Sequence, residues 1–373
     1  MALYTCLLIF FSLLSFFEVQ EVGFFTKTKV KLNIMYFSCL ILLVLGTIRW
    51  EVGGDWYSYK EIFDYSFMGL EIGYSLINLI IKRITDNYSV LLFVFSLIFF
   101  YLHIDIMKNN FKKNNDLILK LKSNHNDYAY ISLTLLALWT LYYGNVLFVR
   151  QAVTTMTALY SIKFIRDKEL IRFIFIIALG STIHISLIAF VPAYWIYNLR
   201  IEYSKRVVLF LCAFIVVFFF TPTISLALSV FMNTRSRELL AMYLAGPLFS
   251  TDYTVFFTYL KGFANVFFTL ILFSVIYKKH KNNLHYNGLM NLYWFGCVMY
   301  CGVAVSATVL QRVGALYQST QILLFSFFIN SFGNKTIRFV MLLMIIFYLS
   351  LRMYVSFGNY WDSYIPFRTI FSK

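Results

Sequence analysis

Apolar runs separated by short polar breaks follow one another along this chain from residue 2 to residue 357. A run of about 20 apolar residues is long enough to cross a bilayer as a helix. Of the 373 residues, 60% are hydrophobic and 13% are charged, whereas about 25% are charged in an average soluble domain. Because no segment is long and polar enough for a separate soluble domain, the sequence predicts one all-α transmembrane domain, residues 1–373, with about eleven or twelve helices.

The basic residues indicate how these helices are oriented. The net charge is +15, but the lysines occur in short clusters between apolar runs, which is typical of cytoplasmic loops and not of a nucleic-acid-binding surface. The densest cluster contains Lys108, Lys112, Lys113, Lys120 and Lys122. Alternation from this cluster predicts that residues 50–88 and 233–254 lie on the opposite side of the membrane, so we expect membrane lipid and no nucleic acid as partners.

The first of these outward segments concentrates residues that bind sugars. Of 17 acidic residues in the chain, five lie between residues 51 and 71, among them Asp55 and Glu71. A carboxylate can bind a sugar hydroxyl or remove its proton, and aromatic rings offer flat faces to sugar rings. The aromatic candidates are Trp56, Tyr57, Tyr59 and Tyr74. An ordinary polar loop with interfacial aromatic residues is the alternative interpretation.

The end of this segment predicts an amphipathic helix. Apolar residues recur at helical spacing after Glu71, and Lys82 and Arg83 end the stretch. It is too short to span a bilayer. A helix lying in the outer interface fits this pattern, and it would form one wall of a cleft at the periplasmic face.

Three arginines beside outward helix ends are candidates for phosphate binding, namely Arg49, Arg150 and Arg312. A guanidinium group matches two phosphate oxygens at once, although an arginine near a helix end can also simply extend to the lipid headgroups. Polar neighbours of these arginines add Tyr143, Gln151 and Tyr317 as candidate sugar ligands.

His184 lies in an apolar run, residues 171–197, that Gly180, Ser181 and Thr182 interrupt. The interruption predicts two short or re-entrant helices. A histidine inside a membrane is a candidate proton carrier or hydrogen-bond donor, and the alternative is a histidine satisfied by a nearby carbonyl group.

Several familiar catalytic motifs are missing from the sequence. It contains no glycine-rich phosphate loop, no pair of aspartates one residue apart, no HExxH and no GxSxG. The five cysteines lie within apolar runs without a matching histidine pattern. The sequence therefore predicts a site of arginines, carboxylates and tyrosines without a metal and without a cofactor.

The order of these residues resembles a known family. Arg49 ends an early helix, and Gly54-Asp55 with Tyr57 and Tyr59 follows; next come Glu71-Ile72-Gly73-Tyr74, Arg150-Gln151 and His184-Ile185-Ser186. From about residue 40 to about residue 320, this series resembles the EpsG family of oligosaccharide repeat-unit polymerases, the Wzy-like O-antigen or capsule polymerases.

The resemblance implies a multi-pass protein of the bacterial inner membrane that joins undecaprenyl-diphosphate-linked oligosaccharides by block transfer at the periplasmic face. It implies a diphosphate role for Arg49, Arg150 and Arg312, and an acceptor-binding or general-base role for Asp55, with Glu71 and His184 as the next candidates. A chain-length regulator protein is a further implied partner. Two alternatives stay open, a periplasmic glycosyltransferase that uses a polyprenyl-phosphate sugar and a flippase for lipid-linked oligosaccharides, although no internal repeat of the kind a flippase shows is found.

Overall fold

The computed structural model describes residues 1–67, 69–118, 130–147, 149–209, 211–213, 215, 253–303, 308–359 and 361–372. Its α-helices are α1 (Ala2–Val19), α2 (Thr28–Ile48), α3 (Trp56–Asp64), α4 (Ile72–Ile84), α5 (Tyr88–Ile118), α6 (Ile131–Leu147), α7 (Arg150–Arg166), α8 (Leu170–Ser181), α9 (Ala193–Asn198), α10 (Tyr253–Val275), α11 (Tyr277–His280), α12 (Leu284–Val303), α13 (Thr308–Gln318), α14 (Gln321–Asn330), α15 (Lys335–Asn359) and α16 (Trp361–Tyr364). Short 3₁₀ helices cover Gly23–Thr26 and Ile185–Phe190. Within these ranges no β-strand is formed.

The prediction of an all-α polytopic membrane protein is confirmed. In the part of the chain that the structure describes, four helices are long and apolar enough to cross a bilayer, namely Ala2–Val19, Thr28–Ile48, Tyr88–Asn109 and Lys335–Gly358. Shorter apolar helices accompany them, including Leu170–Ser181 and Ala264–Val275. The predicted total of eleven or twelve spanning helices stays a prediction, and the predicted outward loop at residues 233–254 lies outside the described residues except for its last two, which begin α10.

The chain forms two compact units. The first comprises Met1–Lys163, Phe175–Ile185 and Phe325–Lys373, and the second comprises Phe164–Ile174 and Ser186–Leu324. The single transmembrane domain predicted for residues 1–373 stays a prediction.

In the first unit, α1 packs against α6 and α15, and α2 packs against α5 and α6. Glu18 of α1 fixes the start of α6, because its two carboxylate oxygens accept hydrogen bonds from the backbone amides of Ile131 (3.1 Å) and Ser132 (2.7 Å). Those amides have no partner within their own helix, and the positive end of the helix dipole favours a carboxylate there. Glu18 is therefore satisfied although it is almost fully buried.

In the second unit, α12 packs closely against α13 and also contacts α9 and α10. Two glycines permit the close packing of α12 and α13: a Cβ atom on Gly296 would lie 2.9 Å from the carbonyl oxygen of Gly314, and one on Gly314 would lie 3.0 Å from that of Gly296. The amide of Asn291 links α12 to the end of α9 by donating to the carbonyl of Leu199 (2.8 Å).

The predicted amphipathic helix after Glu71 is α4, and its two faces are distinct. Tyr74, Asn78 and Ile81 are buried, whereas the aliphatic side chains on the other face are exposed, at Ile72, Leu76, Ile80 and Ile84. The buried face joins an aromatic core with α3, α5 and the start of α7, which contains Trp56, Phe63, Tyr74, Tyr88, Phe95 and Val153. This core supports the site described next.

Candidate functional site

The first turn of α4 is held by the interrupted segment that follows α8. That helix ends at Ser181, as the glycine and hydroxyl residues predicted. The carbonyl oxygen of Thr182 then accepts hydrogen bonds from the backbone amides of Gly73 (2.8 Å) and Tyr74 (3.2 Å). Amides in the first turn of a helix need such external acceptors. The interruption therefore anchors α4 and places Glu71, which immediately precedes the helix, beside residues 183–185.

Gly73 is required by this close approach. A Cβ atom at position 73 would lie 2.3 Å from Oγ1 and 2.9 Å from the carbonyl oxygen of Thr182. Atoms cannot approach that closely without displacement, so a larger residue would force the two segments apart.

Glu71, Arg150 and His184 form one polar group, here called the Arg–Glu–His group. Arg150 is the first residue of α7, and its Nη2 forms an ion pair with Oε2 of Glu71. Its Nε donates to the carbonyl oxygen of Ile183 (3.2 Å). The other carboxylate oxygen of Glu71, Oε1, accepts from the backbone amide of Ile185 (3.0 Å). Three separated parts of the sequence thus meet at one carboxylate.

His184 lies between a proton donor and a proton acceptor. Its Nδ1 is 3.0 Å from Oε1 of Glu71 and 3.3 Å from Nη2 of Arg150. An arginine only donates and an ionised carboxylate only accepts. Nδ1 therefore binds Glu71 when it carries a proton and binds Arg150 when it does not, so the imidazole can exchange a proton without leaving its place.

Low exposure strengthens these interactions. The side chains of Arg150, Glu71 and His184 are 10%, 18% and 19% exposed. The guanidinium carbon of Arg150 lies 5.3 Å from the ring centre of Tyr74 and 6.0 Å from that of Tyr59. Burial raises the pKa of Tyr74, which keeps its ring a neutral phenol. Because an ion is costly to bury alone, the carboxylate and the two rings together stabilise Arg150.

Arg49 lies in a different environment from Arg150. It is 3% exposed, and its Nη1 donates to the carbonyl oxygen of Val52 (2.8 Å). Its Nε has no hydrogen-bond partner, and no carboxylate forms an ion pair with it, among the residues that the structure describes. Arg49 lines a small cavity together with residues of α5 and of residues 149–152, namely Leu92, Phe95, Ser96, Phe99, Val149 and Ala152. Burial lowers the pKa of Arg49, because removal from water penalises its charged form.

Asp55 precedes α3 and is exposed. Within the described ranges its carboxylate makes no hydrogen bond or ion pair, so the structure does not join it to the Arg–Glu–His group. Tyr57 beside it is 61% exposed. Trp56 and Tyr74 are buried in the aromatic core, and this burial favours packing over direct sugar contact for both.

The remaining predicted ligands are spread over both units. Gln151 is half-buried in the first turn of α7. Tyr143 belongs to α6, and its side chain lies outside the described part of the chain. In the second unit, Arg312 of α13 is exposed, whereas Tyr317 is buried and its hydroxyl donates to the carbonyl of Ala189 (2.7 Å). The ligand roles of all four stay predictions.

Sequence reasoning did not identify the backbone groups that complete the site. The carbonyl groups of Thr182 and Ile183 and the amide of Ile185 each contact the Arg–Glu–His group or the helix that carries Glu71. Any residue type supplies such groups, so side-chain identity gives no signal for them. The glycine at position 73 was the available signal in the sequence, because a residue without a Cβ atom permits this close approach.

The fold and the site define a class: a helical, polytopic membrane protein with a half-buried group of arginine, glutamate and histidine next to an amphipathic helix. A sequence model of the EpsG family matches residues 32–369, so the chain belongs to the EpsG family, a family of Wzy-like polymerases. No curated protein and no solved structure matches the chain.

Proposed function

We propose that this protein polymerises a surface polysaccharide by joining undecaprenyl-diphosphate-linked oligosaccharide repeat units at the periplasmic face. EpsG membership supports a Wzy-like polysaccharide polymerase in general. The single observation that carries the finer proposal is the Arg–Glu–His group, which combines a phosphate-binding side chain with a proton acceptor in one half-buried place.

In the proposed reaction, the bond between the anomeric carbon of the growing glycan and its diphosphate breaks. A new bond forms between that carbon and a hydroxyl oxygen of the incoming repeat unit, and the hydroxyl proton goes to the protein. The diphosphate leaves with the bonding electrons. Such a reaction needs the diphosphate held, the hydroxyl oriented and one proton accepted.

Arg150 suits the diphosphate and Glu71 suits the proton. In the structure, Glu71 forms an ion pair with the guanidinium group of Arg150. A diphosphate that takes its place removes a positive neighbour from Glu71, which raises the basicity of that carboxylate. Donor binding would thereby prepare the base, with His184 positioned to relay its proton. Asp55, which is exposed, then serves to bind the acceptor, while Arg49 adds positive charge for the diphosphate. The diphosphate role of Arg312, which belongs to the second unit, stays a prediction.

The proposal includes the cellular setting. The chain would be a multi-pass protein of the bacterial inner membrane and would act as a glycosyltransferase without a metal or a cofactor. Its partners would be the lipid-linked oligosaccharide, membrane lipid and a chain-length regulator protein, and no nucleic acid. The helices that are long enough to span a bilayer support the membrane location.

The test replaces Arg150 by lysine in the producing cell. Lysine keeps the charge but loses the planar fork that contacts two phosphate oxygens, so we expect long polysaccharide chains to fall at least tenfold while single repeats accumulate. Arg83→Lys is the matched control, since Arg83 is exposed at the end of α4. The measurement is the size distribution of the glycan at equal protein level in the membrane.

Other outcomes identify other functions. Repeat units that accumulate on the cytoplasmic side would indicate a flippase, and a repeat unit lacking one sugar would indicate a transferase that uses a polyprenyl-phosphate sugar. An unchanged chain-length distribution in the Arg150→Lys variant would contradict the proposed role of the Arg–Glu–His group.

A further inference from the structure

Residues 361–372 fold back onto the loop that carries Arg49 and leads to Asp55. The backbone amide of Trp50 donates to the carbonyl of Arg368 (2.9 Å), and that of Ile370 donates to the carbonyl of Ile48 (2.8 Å). These two bonds flank an antiparallel bridge between Arg49 and Thr369. We infer that this segment, here called the strap, is a positioning element for the polymerase site. The inference rests on the proposed function.

The strap holds a backbone conformation that the loop would not keep by itself. Glu51 has φ of 53°, a left-handed conformation that is uncommon for a residue with a side chain, and Gly53 has φ of 107°. Conformations of this kind persist only where surrounding contacts enforce them. The amide of Gly53 donates to the carbonyl of Ser363 (2.8 Å), and the carboxylate of Glu51 accepts from Nη1 of Arg368 (2.9 Å). Strap contacts therefore lie on both sides of the left-handed residue.

The turn held in this way sets the place of Arg49. The left-handed turn at Glu51 brings the carbonyl of Val52 to 2.8 Å from Nη1 of Arg49. Asp55 follows two residues after Gly53 and immediately precedes α3. A loop without the strap could leave the left-handed region, and Arg49 and Asp55 would then occupy many positions instead of one.

The strap itself is attached to the helices of the first unit. The hydroxyl of Tyr4 in α1 donates to the carbonyl of Tyr364 (3.1 Å). The ring of Tyr4 packs edge-on against Phe357 and Phe367, with ring centres 4.7 Å and 5.9 Å apart. Because the strap is attached to a long helix, it is itself held in place and can hold the loop in one conformation.

The first test compares two stop codons. A stop after Ile370 keeps every strap contact described here, and a stop after Pro366 removes Arg368 and Ile370. We expect the shorter protein to make at least tenfold less long polysaccharide at equal membrane level, and the longer one to make a normal amount. A normal amount from both would overturn the inference.

The second test uses the charged pair and does not depend on how well the truncated chain folds. Arg368→Glu should raise the KM for the acceptor repeat unit two- to fivefold in purified protein, because like charges push the strap from the loop. Adding Glu51→Lys restores an opposite pair and should return KM to within twofold of wild type. A merely structural role would lower the active fraction, and so kcat, while leaving KM unchanged. That result, or the absence of restoration, would overturn the inference.

Arg150→Lys is measured beside these variants. If Arg150→Lys loses polymerisation while the strap variants polymerise normally, only the strap inference is rejected. Normal polymerisation in Arg150→Lys would reject the proposed site itself.

Discussion

Replacing Gly73 by alanine tests whether the spacing between α4 and Thr182 is needed for activity. The change adds one methyl group and alters no charge, no proposed catalytic side chain and no proposed ligand. The added Cβ would lie 2.3 Å from Oγ1 and 2.9 Å from the carbonyl oxygen of Thr182. The hydroxyl can rotate away, but the carbonyl belongs to the backbone and moves only with the segment that contains His184.

Three contributions determine the free-energy cost of Gly73→Ala. Overpacking by a methyl group costs about 1–3 kcal/mol. The two hydrogen bonds from Gly73 and Tyr74 to Thr182 contribute about 0.5–1.5 kcal/mol each and would lengthen. Alanine favours the helix over glycine by about 1 kcal/mol, which offsets part of this loss. The net cost of about 1–3 kcal/mol corresponds to a decrease in turnover of about 5- to 160-fold, at about 1.36 kcal/mol for each tenfold change.

The assay measures polymer length in cells and turnover of purified protein on lipid-linked repeat units. Gly54→Ala is the matched control, because a Cβ at Gly54 would have no atom within 4 Å. Thr182→Gly combined with Gly73→Ala removes the side-chain part of the clash and should restore part of the activity. Wild-type turnover in Gly73→Ala would refute the argument that this contact positions Glu71 and His184.

Two further predictions concern the charge of the site and the orientation of the chain. Glu71→Gln keeps the shape of the side chain but leaves Arg150 without its counter-ion. Because both side chains are partly exposed, we expect the stability to fall by about 1–3 kcal/mol, which would appear as a lower melting temperature in detergent. We also expect polymerisation to fall at least tenfold. Equal melting temperatures would show that the ion pair is not stabilising. Single cysteines at Ser58 and Asn114 should react with an impermeant reagent in intact spheroplasts at position 58 only. Labelling at 114 alone would invert the topology.

The sequence predicted the helices that carry the site better than it predicted the contacts between their residues. Hydropathy located α1 and α2, and helical spacing after Glu71 predicted α4, because burial and membrane contact act on each helix through its own residues. The choice between Asp55 and Glu71 as the partner of Arg150 could not be predicted. Glu71 lies 79 residues before Arg150 in the chain, and only the packing of α4 against the interrupted segment brings them together.

Two other features were beyond sequence reasoning for related physical reasons. Aromatic residues near a membrane surface can face the interface or fill a core, and Tyr74 fills a core while Tyr57 is exposed. The strap attaches to its loop mainly through backbone groups, such as the amide of Ile370, so side-chain identity carries little information about it.

Under the proposed function, Arg49 and Arg150 differ in how much binding energy an incoming diphosphate would gain from each. At Arg150 the anion would have to displace Glu71. The energy gained is then only the difference between the Arg150–diphosphate and the Arg150–Glu71 interactions. At Arg49 there is no carboxylate ion pair to displace among the described residues, and the cost of burying its charge is already part of folding. An anion that reaches Arg49 therefore gains a full charge interaction. We expect Arg49 to contribute more to affinity for the diphosphate, and Arg150 to contribute more to the step that frees Glu71 as a base.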